Sequence, residues 1–527
     1  MSMLKRARVA VLAALLASGV PLAGAQSPAW QVLQRDAMAS YQQGDFEASR
    51  RKALEALDLA EKEGGQESPP VFASLQVLGP ALLSLGRLDE AEVVLKRSVV
   101  LVERAAGPDS PLLAQPLVHL AGVKMQRGQA AEAVALTQRA RGLIERDGGA
   151  TSLQMAEALD VQSNALARLE RHEEAEQGYR QVVRLVEALR GADGGDLAYA
   201  LVGLGREQIA LGHNADAEAT IERAVTIGER QLGAEHPVVG LALTARAKLR
   251  LAQLRFREAD LDAQRALAIE EKTTGGGNAT SVEVLGLALS AASGSGDQPR
   301  AEKLAQRLLA ASEQAAGPDS TLVASALNNL ATVYRAQRRY DEAHQLYERA
   351  LGIVAAREGK NSPEYGRMLN NRAFLYGAQN RHREAEVLFR EALEVFRRSP
   401  LATPPMIAAA EINLCGNLAE QSRPADAEAV CRMALARWIE VAGEDSLQVA
   451  NVRFQLAGLR VAQGDDAGAL ALNRQVQATA ERYVAEAPDF MVAALTQLAE
   501  LERKAGRTAQ AEAAAKRAAE IRSGLPR

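Results

Sequence analysis

Small residues recur along this chain at an interval of 42. Counting from Ser49 gives Ala91, Ala133, Ala175, Ala217, Ala259, Ala301, Ala343, Ala385, Ala427, Ala469 and Ala511. Twelve positions kept in phase without an insertion leave room for one kind of architecture, a supersecondary unit written repeatedly. The unit is clearest in residues 322–354, LVASALNNLATVYRAQRRYDEAHQLYERALGIV. Val323, Leu327, Leu330, Ala331 and Tyr334 recur at three- and four-residue spacing and so line one face of a helix. Ala343, Leu346, Tyr347, Ala350 and Leu351 do the same for a second helix, with a polar turn at Gln337–Arg339 between them.

Other columns keep the same step, each for a physical reason. Twelve residues before the marker lies a small residue in eleven units, Gly79, Ala331 and Cys415 among them, as two closely crossing helices require. Leu289 is the exception. Sixteen residues after the marker comes glycine in nine units, from Gly65 and Gly107 through Gly149 and Gly317 to Gly443. It is expected in the left-handed conformation that ends a helix. Three residues further come Ser68, Ser110, Ser152, His236, Asn278, Ser320, Ser362 or Ser446, several followed by proline, which is how a helix begins. The expectation is an all-α solenoid of about twelve helix-turn-helix units over residues 28–524.

Composition narrows the function. Hydrophobic residues make up 47% of the 527, enough for a packed interior. A formal net charge of −4 argues against a general binder of nucleic-acid backbones, which needs a strong basic excess. Residues 1–25 read as a signal peptide: Lys5, Arg6 and Arg8, a short apolar run from Val9 to Leu22, then Ala23-Gly24-Ala25. The run is too short and too interrupted for a comfortable span, so no stable membrane insertion is expected after cleavage. The mature chain is expected to be periplasmic or secreted. Glycine-rich stretches at 273–277 and 293–296 suggest a hinge near 273–297, dividing an N-terminal half, 26–276, from a C-terminal half, 277–527.

With ALNNLATVYRAQRRYDEAHQLYERAL repeated 42 residues on as MLNNRAFLYGAQNRHREAEVLFREAL, the chain resembles the tetratricopeptide repeat in its longer, kinesin-light-chain form. The resemblance implies a right-handed superhelix of hairpins whose first helices line a concave groove for peptides or protein segments. It also implies a peptide-binding role for Asn329, Asn371 and Asn413, with Asn328 and Asn370 beside them.

Chemistry is harder to find. The chain has no GxxxxGK[ST], no HExxH and no dinucleotide fingerprint. It reads as a non-enzymatic scaffold without a metal or cofactor, its partner a protein or peptide. A structural, self-assembling role in the cell envelope is the second reading. His172, His213 and His382 fall in the turns between helices, where a solvated side chain is the ordinary reading. The column fourteen residues before the marker is more informative: Asn329, Asn371, Asn413, Gln455 and Gln497 in the last five units, against Val77, His119, Val161, Gly203, Ala245 and Leu287 in earlier ones. Carboxamides both donate and accept, so such a ladder suits an extended backbone lying across it. Alternatively, neighbouring amides bond each other and tie repeat to repeat. Arg335 and Arg367, on the same side by helical spacing, are candidates to clamp a carboxylate. Cys415 and Cys431 stand symmetrically about the predicted turn at Arg423-Pro424, which predicts a disulfide across one hairpin in an oxidising compartment.

Overall fold

The structure, a computed structural model, describes residues 27–275, 278–484 and 487–524. The segment expected as a signal peptide and the pair Gly276-Gly277 lie outside these residues. The described residues form 24 α-helices and three short 3-10 turns, with no strand. Consecutive helices pair into hairpins, numbered 1 to 12 from the N-terminus. Hairpin 1 is Pro28–Gln43 with Phe46–Gly64, hairpin 8 is Thr321–Ala336 with Tyr340–Arg357, and hairpin 12 is Pro488–Lys504 with Thr508–Gly524. The chain divides into two compact units, Met1–Leu249 and Arg250–Arg527. The division falls inside the first helix of hairpin 6 (Pro237–Ala252), upstream of the glycine-rich stretch 273–297. Each unit is an all-α solenoid in which every hairpin packs on the next.

The period of 42 is a period of burial. All twelve marker residues, Ser49 to Ala511, are 2% exposed or less. The small residue twelve positions earlier faces the side chain four positions after the marker, across the hairpin. A Cβ added at Gly79 would stand 2.5 Å from Leu95, and one at Gly205 would stand 2.5 Å from Ile221. In hairpin 10 (Pro404–Glu420 with Pro424–Ala442) the same two places hold Cys415 and Cys431, joined as a disulfide with Cα atoms 5.5 Å apart. The bond stands where hairpins 2 and 5 have the small-against-large contacts Gly79–Leu95 and Gly205–Ile221.

The turns are as regular. Gly44, Gly86, Gly128, Glu170, Gly212, Leu254, Gly296, Arg338, Asn380, Ser422, Gly464 and Gly506 all have positive φ. The next residue's N–H then bonds five residues back, as Arg339 N to Tyr334 O at 2.9 Å and Asp465 N to Arg460 O at 2.9 Å. Five of these twelve residues carry side chains, so the turn is imposed by the hairpin and not by glycine alone.

The second glycine column departs from expectation. Gly65, Gly107, Gly191, Gly233, Gly317 and Gly443 do have positive φ, but their ψ lies between 149° and 170°. This is an extended conformation essentially confined to glycine, not the left-handed helical one. It turns the chain sharply so that a serine can cap the next helix, as Ser320 does for Val323 N. Gly275 keeps the left-handed form, while Gly149 yields that role to Gly148, because the preceding helix ends two residues early at Arg146.

A further column carries charge where most units carry leucine. Sixteen residues before the marker stands leucine in ten units, and Glu411 and Arg453 in hairpins 10 and 11. Glu411 is fully buried, held by Arg397 at 3.0 Å and Arg437 at 3.2 Å. Arg453, 7% exposed, pairs with Glu444.

Candidate functional site

The face of each first helix left uncovered by packing is narrow, and in the C-terminal unit the amides lie on it. Asn329, Asn371, Asn413, Gln455 and Gln497 are all partly buried, one on each first helix of hairpins 8 to 12. They do not stand apart. Asn371 Nδ2 donates to Asn328 Oδ1 at 2.8 Å, and Asn413 Nδ2 donates to Asn370 Oδ1 at 2.9 Å. Two rungs therefore link hairpin 8 to hairpin 9 (Pro363–Ala378 with His382–Arg398) and hairpin 9 to hairpin 10. Asn328 is 2% exposed and belongs to the packing, whereas Asn371 and Asn413 each keep a second N–H and a carbonyl oxygen for other partners. Gln455 reaches Asn451 at 3.4 Å, and Gln497 accepts from the buried Asn473 at 2.9 Å.

The two arginines of the expected clamp differ. Arg367 is bound to Glu364 one turn before it on the same helix, through Nε at 2.9 Å, and Ser325 of hairpin 8 also donates to that carboxylate at 3.4 Å. Its charge is spent locally, on an acid of its own helix. Arg335 has no ion pair among the described residues. It stands beside the Tyr347 phenol, which burial pushes up while the Thr332 hydroxyl, 3.1 Å away, and Arg335 pull the other way. Phe374 completes this face: it is 38% exposed and meets Phe389 edge-on at 5.2 Å.

Along the turns, the residue after the marker is repeatedly an acid that accepts from the next hairpin. Glu302 takes Arg339 at 2.7 Å and Gln337 at 3.0 Å, and Glu386 takes Arg423 at 2.8 Å and Gln421 at 3.0 Å. The Arg339 and Gln337 bonds hold the Glu302 carboxyl below the usual carboxylate range. In the N-terminal unit Glu92 is bonded by Lys96 and Lys124, and its pKa falls to about 2. His213, exposed as expected, follows this pattern with Nδ1 3.5 Å from Glu176, whereas His172 Nδ1 lies 2.9 Å from Glu207 on the first helix of the next hairpin. Among the described residues no group of three or more His, Cys, Asp or Glu could hold a metal ion. No helix among them is long and apolar enough to cross a membrane.

The profile of the tetratricopeptide repeat matches residues 112–188, 281–356, 322–398 and 406–482, and a second profile of the same description matches 71–112. No curated protein sequence matches. Among solved structures, the TPR-like repeats of a Podosopora anserina kinesin light chain share 18% identity with a TM-score of 0.33, covering 39% of this chain and 98% of that one. BtubC of P. vanneervenii shares 22%, with a TM-score of 0.28, over 54% of this chain and 92% of its own. The apo quorum sensor NprR of B. thuringiensis, 12% identical, covers 77% of this chain and 97% of its own with a TM-score of 0.51, a likeness of fold alone. Profile matches over more than half of the residues, on hairpins that pack in the expected order, place this chain in the tetratricopeptide repeat family.

Proposed function

We propose that this protein is an exported, non-enzymatic scaffold that holds an extended peptide or protein segment against the first helices of hairpins 8 to 12. One observation carries the reading. Partly exposed carboxamides occupy the same position on five successive first helices, and the two that bond within the array keep donors and acceptors to spare. A main chain offers alternating N–H and C=O groups, which such amides complement without regard to side-chain identity. Export is supported by the amino-terminal basic and apolar pattern and by the pairing of Cys415 with Cys431, a bond that persists in oxidising compartments. The test replaces Asn329, Asn371 and Asn413 together with Ala, then compares capture from cell envelopes and melting with the unaltered chain. Loss of captured partners beyond the loss of stability supports binding. Unchanged capture with a lowered Tm assigns the amides to packing and removes the proposal.

A further inference from the structure

Three glycines on the same partly exposed strip have no packing reason to be there. Gly377, Gly416 and Gly458 lie within the first helices of hairpins 9, 10 and 11 (the last Leu447–Ala462 with Asp466–Ala480). Glycine weakens a helix relative to alanine. None of the three has positive φ. A Cβ at Gly377 or Gly416 would meet nothing within 4 Å, and one at Gly458 would meet only Gln497 Nε2 at 3.7 Å. Gly79 and Gly203 are the contrast, since a Cβ there would press to 2.5 Å from Leu95 and 2.4 Å from Tyr179. Gly416 and Gly458 are one period apart, three residues after Asn413 and Gln455, and the same place in hairpin 9 is Phe374.

A second observation comes from behind this strip. Asn473 is 1% exposed; its Nδ2 donates to Gln497 Oε1 at 2.9 Å and to Ala469 O at 3.4 Å, and its Oδ1 has no partner. A buried acceptor without a donor is costly. The Gln497 amide that holds Asn473 is also the group nearest the space over Gly458.

We infer that hairpins 9 to 11 seat a main-chain segment lying flat on the helices, with small residues over Gly416 and Gly458 and a large apolar side chain against Phe374. The inference rests on the peptide-binding reading above and adds the class of segment. Main chain bonded to Asn413 and Gln455 must pass over the next turn of the same helices, where any side chain on either surface would lift it out of reach. A main chain arriving over Gly458 meets Gln497 first, the amide that holds the buried Asn473.

The probe is a displayed library of random decapeptides, selected on the chain from residue 26 onward. Peptides with Gly, Ala or Ser at two positions and a large apolar residue at a third are expected. Their affinity should fall at least tenfold for the Gly416→Leu/Gly458→Leu variant, whose Tm should not drop because both sites are open. Gly142→Leu/Gly352→Leu, two equally open glycines on second helices, should leave affinity unchanged. Enriched peptides that bind the groove variant as well as the original, or that carry large side chains throughout, overturn the inference and leave the peptide-binding reading standing. No enrichment on the unaltered chain removes both.

Discussion

At single residues, the repeat uses two backbone conformations that its letters do not separate. Gly317, with φ 81° and ψ 163°, occupies a region closed to other residues. Gly317→Ala is therefore expected to cost about 1–3 kcal/mol, measured by urea unfolding. Arg338, at φ 61°, sits where seven of the twelve hairpins have glycine. Arg338→Gly should stabilise by up to ~1 kcal/mol, relief of the left-handed strain being partly offset by the freer unfolded chain. Glu411 poses the opposite question, a carboxylate where ten units have leucine. Glu411→Leu is expected to raise stability by ~1 kcal/mol or more, because Arg397 and Arg437, 40% and 30% exposed, can turn to water. Removing both arginines instead strands a buried charge and should cost about 3–5 kcal/mol. A lower Tm for Glu411→Leu would show that the charge cluster stabilises the core.

At the scale of the hairpin, the closing contact was legible and its partners across hairpins were not. Symmetry about the turn located Cys415 opposite Cys431, since the two arms of a hairpin run in register. Cys415→Ser/Cys431→Ser is expected to lose about 3 kcal/mol for a loop closed over a separation of 16, and titration of unreduced, denatured protein should find no free thiol in the original chain. The acid–base links between hairpins give a pH dependence. Glu92 has its pKa lowered from 4.5 to about 2, first by Lys96 and also by Lys124. A depressed carboxylate stabilises above its unfolded value, so this contribution is full above pH 4.5 and is lost as pH falls through about 2. Lys124→Met should flatten that acid limb in hairpins 2 and 3, followed by hydrogen exchange between pH 5 and pH 2. An unaltered limb would mean that the pair does not set it.

Across the whole molecule, each hairpin is stabilised by the ones beside it, so damage should stay local. Hydrogen exchange of Gly317→Ala is expected to show lost protection in hairpins 7 and 8 and none in hairpins 2 and 3. Uniform loss over the entire chain would instead require a single cooperative unit. The interval of 42 alone determined the number of hairpins, their turns, their buried faces and the line on which the amides fall, because these depend on spacing within a helix and its immediate partner. It could not determine that Asn371 bonds Asn328 or that His172 reaches Glu207. Those depend on how one hairpin crosses the next, within about an ångström, and a donor finds its acceptor only when that crossing is fixed.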